Sequence, residues 1–319
     1  MPQPTSSVTF SRREKARLRL ASQGLTMPRW ESAEEVVRAF GVMQGQDLYT
    51  VRRSLALRAK DHSDAGNMVR GYPMRNTLFA ASIKDIGWIT ELCAKGRKGE
   101  AELRAEVNKL IENPLSRAEL KERAVTALPD VPFWHVVRVA MESGHAVYSG
   151  ADQLITPVDL PGLEETFNGD KVAATAELMT RYFRTHGPAT LRDFAWWAKL
   201  SQKLIRPAAE NLAPDIVRCG EESQDLFSAE IVEIAEARKK QSVLLLGAFD
   251  EYILGYQDRL FAMTNEVHEA LVPGNRGVFR RAIVVDGQVR GTWNKQDIED
   301  LGMPGYAMRK VQKLWRDAH

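Results

Sequence analysis

Cysteine is nearly absent: Cys93 and Cys219 are the whole complement, with no CxxC and no paired Cys/His spacing. That argues against a disulfide framework or a structural zinc site and fits a reducing cytoplasm. No run of about 18 apolar residues occurs, so no membrane-spanning helix is predicted and no membrane partner is expected. Residues 1–10 are polar and proline-bearing, without the apolar core of a secretory signal. The six histidines (His62, His135, His145, His186, His268 and His319) are dispersed, and none forms an i, i+4 ligand pair. His135 and His186 read as helix-turn residues. No glycine-rich phosphate loop exists: Gly96 and Gly99 flank a basic loop without Walker spacing. No lysine sits in a motif for Schiff-base chemistry. Neither a metal nor a cofactor is expected.

What is present describes a globular protein of 319 residues, 44% hydrophobic and 27% charged, with enough chain for two or more cores. The net charge of +2 is unevenly spread. The first 60 residues carry eleven Lys/Arg against five acids, a local excess of +6 that leaves −4 for the rest. A basic face on a near-neutral chain suits a polyanion such as DNA. Solvated helices with scattered basic residues read equally well from charge alone.

Periodicity and caps predict a mainly α chain with small β elements, an α+β fold. Helices are predicted over residues 10–23 (N-capped by Ser11 and stopped by Gly24), 31–43 and 47–59. Residues 74–82 read as a strand and 83–95 as a helix. A helix over 100–112, a Ser116–Glu119 capping box and a helix over 133–143 repeat the theme, with a wing strand from Gly144 to Tyr148. A third set runs from a helix over 171–185 to helices over 191–200, capped by Thr190, and 202–212, capped by Ser201. These are three helix-turn-helix units, which suggests tandem winged helices over residues 8–97, 98–168 and 169–240. Residues 241–319 read as a β-rich, barrel-like domain. It has a strand at 243–246, a hairpin turning at Asp286-Gly287 and a closing basic helix over 306–318.

The most informative stretch is Gln44-Gly45-Gln46-Asp47, placed by this reading at the end of the second helix. A core rejects unpaired amides at a cost of about 1–3 kcal/mol each. The two glutamines are therefore either a solvated helix end or a site built to hold water or a ligand.

The ordered motifs supply context. They are Arg19-Leu20-Ala21-Ser22-Gln23-Gly24-Leu25, Gln44-Gly45-Gln46-Asp47, Met74-Arg75-Asn76-Thr77-Leu78, His186-Gly187-Pro188-Ala189-Thr190 and Asp193-Phe194-Ala195-Trp196-Trp197. Further on come Leu245-Leu246-Gly247-Ala248-Phe249-Asp250-Glu251-Tyr252, Gly255-Tyr256-Gln257-Asp258-Arg259, Asn275-Arg276-Gly277-Val278-Phe279 and Gly291-Thr292-Trp293. From about residue 10 to about residue 300 the chain resembles the winged-helix DNA glycosylases of the AlkZ/YcaQ type, and Gln-x-Gln marks the AlkZ-like branch. The resemblance implies three winged-helix units forming a concave duplex-binding surface. It also implies a monofunctional glycosylase that hydrolyses the N-glycosidic bond of N7- or N3-alkylated purines in base excision repair. Bulky adducts and crosslinks fall within the branch's scope.

Gln44 and Gln46 would then be catalytic, a neutral amide orienting the attacking water through its carbonyl oxygen. Asp47 could supply stabilising negative charge, although an N-cap for Leu48 onward is the preferred reading. Thr77 is a supporting candidate. Arg75, Gln202, Lys203, Arg206, Arg280 and Arg281 are the candidate DNA contacts, each weighed against a solvated surface role. Phe194, Trp196 and Trp197 read as core.

Three departures stand out. Gly45 replaces a larger aliphatic or Ala and is expected to loosen the backbone that aims the amides. Phe79 stands where many members carry histidine, and Gly247 where proline is usual, the last read as tolerable loop drift. The expected protein is a monomer of the bacterial cytosol or nucleoid acting on double-stranded DNA. The competing reading is a non-catalytic tandem winged-helix DNA-binding protein or transcriptional regulator.

Overall fold

The computed structural model describes residues 10–63, 66–94, 100–219, 224–236 and 242–318. Residues 1–9, the basic loop of Gly96 to Gly99 and His319, all read above from sequence, lie outside them. Local chemistry explains the first elements. Helix α1 (Arg12–Ser22) starts at a capping box in which Ser11 Oγ accepts from Glu14 N and Glu14 accepts from Ser11 N. Strand β1 (Trp30–Ser32) leads into α2 (Ala33–Phe40), which Ser32 caps. The helix predicted over 31–43 stops early because Gly41 adopts a left-handed φ of 76°. The next three residues form β2 (Val42–Gln44), so Gln44 lies on a strand and not at a helix end. Helix α3 (Leu48–Ala56) and β3 (Ala59–Asp61) follow, β3 pairing parallel with β1.

Strands β4 (Met68–Met74) and β5 (Thr77–Ser82) form a hairpin, and Ser82 caps α4 (Ile83–Cys93). Met74 therefore ends β4 and does not open β5. Helices α5 (Glu100–Lys109), α6 (Arg117–Ala127) and α7 (Phe133–Glu142) precede β6 (Ala146–Ser149) and β7 (Leu154–Pro157). The Ser116–Glu119 capping box forms as the sequence predicts. Because β6 pairs with both β7 and β4, one five-stranded sheet runs β2-β5-β4-β6-β7 and draws strands from both sides of residue 97.

Helix α8 (Leu163–Phe167) leads to the 16-residue α9 (Lys171–His186), then α10 (Leu191–Ala198) and α11 (Gln202–Ala208). Strands β8 (Ile216–Arg218) and β9 (Leu226–Ser228) pair antiparallel, and α12 (Ile231–Glu236) packs on α1. Strand β10 (Val243–Leu245), α13 (Glu251–Leu254), α14 (Asn265–Leu271), β11 (Arg281–Val285), β12 (Gln288–Trp293), β13 (Ile298–Asp300) and α15 (Gly305–Asp317) complete the order. The β11–β12 hairpin turns at Asp286 (φ 49°) and Gly287 (φ 79°), as Asp-Gly dictates.

The expected barrel-like closure is not found. Among the described residues, β10-β11-β12-β13 is an open antiparallel sheet. Its edge strands have three residues each, too few to meet, and Ala307 and Val311 of α15 pack into its hydrophobic cluster. The α+β character holds, with 48% of the described residues helical and 19% in strands that pair mostly antiparallel.

The main core gathers around α9, where Leu178, Met179, Tyr182 and Phe183 meet Trp88, Phe194, Trp197, Tyr252 and Tyr256. The short α13 is threaded through this core. Tyr252 donates to Gly287 O at 2.8 Å, and Gly255 O accepts from Tyr182 at 2.7 Å. Ahead of it, Asp250 meets Arg58 at 2.7 Å with both side chains fully buried, and Asp250 also accepts from Ser54 and caps α13. Burial alone would raise the Asp250 carboxyl, but the Arg58 charge and these donors hold it below the ordinary carboxylate range.

Removing Arg58 while Asp250 stays buried should cost about 3–5 kcal/mol in urea unfolding. Because the folded pKa of Asp250 lies below the unfolded one, the pair's contribution is complete above the unfolded carboxylate range, near 3.9. It is lost as pH falls through the folded value. The stability gap between wild type and Arg58→Met should therefore narrow in acid. A gap that stays constant from pH 7 to pH 3 would contradict this account.

Candidate functional site

The two glutamines part company in the fold. Gln44 ends β2, paired with Phe79 of β5, and is 8% exposed, whereas Gln46 is exposed. The backbone between them is held from three directions. Gln44 N–H donates to Glu251 Oε1 at 2.8 Å, Gly45 N–H donates to Leu78 O at 2.8 Å, and Gly45 O accepts from Arg70 Nη1 at 2.6 Å. Arg70 is itself fixed by Gln153 Oε1 at 2.6 Å, in the β6–β7 turn. Among the described residues neither glutamine's amide side chain takes a hydrogen bond from the protein, which leaves both to water or a ligand.

Gly45 does not loosen this segment, contrary to expectation. A Cβ there would stand 2.5 Å from the carbonyl carbon of Phe79 and 2.7 Å from Ala80 N. Glycine lets the chain lie against the β5 backbone, where the three hydrogen bonds immobilise it. Gly247 is also tightly placed: a Cβ would meet Thr50 Cγ2 at 2.7 Å, so the loop before α13 presses onto α3.

Asp47 is the helix cap that the sequence favours. Its carboxylate accepts from Tyr49 N and Thr50 N, both at 3.2 Å, and from Thr50 Oγ1 at 2.7 Å. The negative charge nearest the Gln44 backbone is Glu251 instead, 1% exposed. Its Oε2 takes Trp197 Nε1–H at 3.3 Å and faces His186 Nε2 at 3.4 Å. Burial lowers the proton affinity of His186 against the pull of Glu251, and the ring stacks on Tyr182 with centroids 4.4 Å apart. Sequence reasoning missed Glu251. It stands in the Leu245–Tyr252 motif and forms an acidic pair with Asp250 in an otherwise apolar run, but no spacing rule links it to Gln44.

The candidate DNA contacts separate into groups. Arg75 occupies the β4–β5 turn with a left-handed φ of 57°, its guanidinium 5.0 Å from the Phe79 ring centroid. Thr77 Oγ1 braces that turn by donating to Arg75 O at 3.1 Å. Gln202, Lys203 and Arg206 are exposed on α11. Arg280 is engaged with Glu299 at 3.1 Å, and Arg281 lies 4.5 Å from the Tyr49 ring centroid, toward α3. Phe194 and Trp197 are core as predicted, and Trp196 packs against that core partly buried. Beside Arg75 a cavity of about 270 Å³ is lined in part by Tyr72, Asn76, Cys93 and Lys199. Burial pushes the Cys93 thiol up to about 12, which makes it a poor nucleophile.

Three substitutions test these backbone anchors. Gly45→Ala forces β2 off β5 and should cost about 1–3 kcal/mol in thermal unfolding; an unchanged melting temperature would sink the close-approach argument. Glu251→Ala removes the acceptor of Gln44 N–H, whereas Glu251→Gln keeps one. Hydrogen exchange at the Gln44 amide should accelerate in the first and stay slow in the second.

Comparison with known proteins now bears on this geometry. The AlkZ-like DNA glycosylase family model matches residues 37–297. The interstrand DNA cross-link repair glycosylase of Streptomyces sahachiroi is 27% identical over 140 residues, which is 42% of this chain and 37% of that protein. The matched region thus spans little more than a third of that relative. The solved structure of the Streptomyces sahachiroi DNA glycosylase AlkZ aligns with a TM-score of 0.74, covering 98% of this chain and 97% of the other. At 20% identity that likeness is one of fold. The family match runs from ahead of Gln44 to beyond Trp293, through every element that shapes the site, and this chain belongs to the AlkZ-like DNA glycosylase family.

Proposed function

We propose that the chain is a monofunctional DNA glycosylase that hydrolyses the N-glycosidic bond of N7- or N3-alkylated purines in double-stranded DNA. Bulky adducts and crosslinks lie within its range. The observation that carries this reading is the Gln44-Gly45-Gln46 backbone, pinned by Glu251, Leu78 and Arg70 beside two amides without protein partners among the described residues. A flexible solvated loop has no use for three such anchors, whereas a water-orienting site does.

The chemistry asks little of an acid–base pair. Alkylation at N7 or N3 makes the purine cationic, so it leaves as a neutral base when the C1′–N bond breaks. Water then attacks the oxocarbenium-like C1′ and its proton passes to solvent. An amide carbonyl oxygen orients that water, while the fixed negative charge of Glu251, held in a dry setting, favours the developing cation. Asp47, half-buried where Glu251 is fully buried, is screened more by water and is the poorer source of that charge.

For binding, we infer three winged-helix units that present a concave face to the duplex. The pairs α2/α3, α6/α7 and α10/α11 are each followed by an antiparallel strand pair, β4/β5, β6/β7 and β8/β9, which supports that reading. Arg75 and the exposed Gln202, Lys203 and Arg206 are the first contacts to examine.

The test is release of 7-methylguanine, and of a bulkier N7 adduct, from duplex DNA. Gln44→Ala and Gln46→Ala should each lose about 10²-fold or more in single-turnover rate, with duplex affinity kept. Wild-type protein that binds DNA tightly but frees no base would instead support a non-catalytic DNA-binding protein.

A further inference from the structure

Trp196 is surrounded by positive charge. The guanidinium carbon of Arg75 lies 5.8 Å from its ring centroid, that of Arg259 5.3 Å, and Lys199 Nζ 5.2 Å. Arg259 also lies 5.0 Å from the Phe279 ring centroid. Among the described residues no carboxylate forms an ion pair with any of the three. Arg75 Nε and Nη2 are buried without a hydrogen-bond partner, and Arg259 Nε has a carbonyl, Ile253 O, at 3.3 Å. Burial, and then the nearby Arg75 charge, lower the proton affinity of Arg259. Like charges drawn together and partly desolvated are unfavourable unless an anion joins them.

The backbone at the cluster is also locally constrained. Positive φ falls on Arg75 (57°), Lys199 (56°) and Phe249 (61°), long or bulky residues with no intrinsic preference for that region. All three border this cluster, since the Phe249 ring packs on Phe279 with centroids 5.7 Å apart. Lys199 takes that φ as the left-handed C-cap of α10, and Arg75 as the first residue of the β4–β5 turn.

We propose that Arg75, Arg259 and Lys199 form a clamp for a DNA backbone phosphodiester beside the target nucleotide, with the Trp196 face as the platform for the adjoining sugar or base. The inference rests on the glycosylase reading for its substrate, and adds where the strand is gripped. Guanidinium forks match phosphate oxygens, and an aromatic face beside them suits a nucleotide better than an isolated anion. The clamp adjoins the glutamines: Phe79, under Arg75, pairs with Gln44 across β2–β5, and the Glu251 charge reaches Arg75.

The experiment scans a lesion-bearing duplex with single neutral methylphosphonates, one position at a time, and measures affinity across salt. One phosphate near the lesion should weaken wild-type binding when neutralised. That penalty should vanish in Arg259→Gln, and the slope of log affinity against log salt should fall by about one. Lys199→Asn, exposed and placed where Asn tolerates the left-handed backbone, supplies the second variant should Arg259→Gln fold poorly. A penalty and slope unchanged in both variants overturn the clamp. These readouts concern binding alone. Base release by wild type with unaltered variant slopes sinks the clamp and spares the glycosylase; altered slopes without base release do the reverse.

Discussion

The buried pair between Arg58 and Asp250 is the constraint on which the rest of the structure leans. Two fully desolvated charges from segments 192 residues apart are tolerable because each meets the other and further polar partners, although Arg58 Nε is left without one. Arg58 reaches Asp250 with both terminal nitrogens and also meets Gln23 and the Ser54 carbonyl; Asp250 takes Ser54 and the first turn of α13. This fixes the start of α13 against the N-terminal helices. The next residue, Glu251, is consequently delivered to Gln44, and Tyr252 to Gly287.

From that anchor the site follows as a series of fixed backbones. Glu251 holds Gln44 while β5 and Arg70 hold Gly45, and Gln153 on the neighbouring hairpin orients Arg70. The continuous five-stranded sheet makes this last link available, because β6 adds directly to β4. A glycine, permissive in isolation, is the residue that allows close strand contact here. The two glutamines it separates differ in exposure, Gln44 being buried and Gln46 open.

Positive charge is concentrated on the other side of Phe79. Arg75 sits in a two-residue turn where both residues, Arg75 and Asn76, adopt left-handed φ. Asn accepts that geometry more readily than Arg, and the turn leaves the Arg75 guanidinium 5.0 Å from the Phe79 ring centroid. The rings of Phe79, Trp196 and Phe279 lie 5.0–5.8 Å from these cations.

Local physics was legible in the amino-acid order. Ser11 and Ser116 cap their helices through neighbours three residues on, Asp47 caps α3, and Asp286-Gly287 turns its hairpin, each within the reach of one turn of chain. The ordered motifs pointed to the family and to Gln44 for the same reason, being contiguous strings. Other features were beyond that reach. Gly41 converted the end of a predicted helix into β2 because β5 was there to pair with it. Three-residue edge strands left the C-terminal sheet open. The Glu251–Gln44 bond spans 207 residues, and the cluster of Arg75, Trp196 and Arg259 joins three distant segments. The sequence by itself determined the caps, the turns and the glutamine motif, since these depend on neighbours along the chain. Only the tertiary structure decided which carboxylate serves Gln44, why position 45 is glycine and where the unpaired cations converge, because burial and contact between distant segments exist only once the chain has folded.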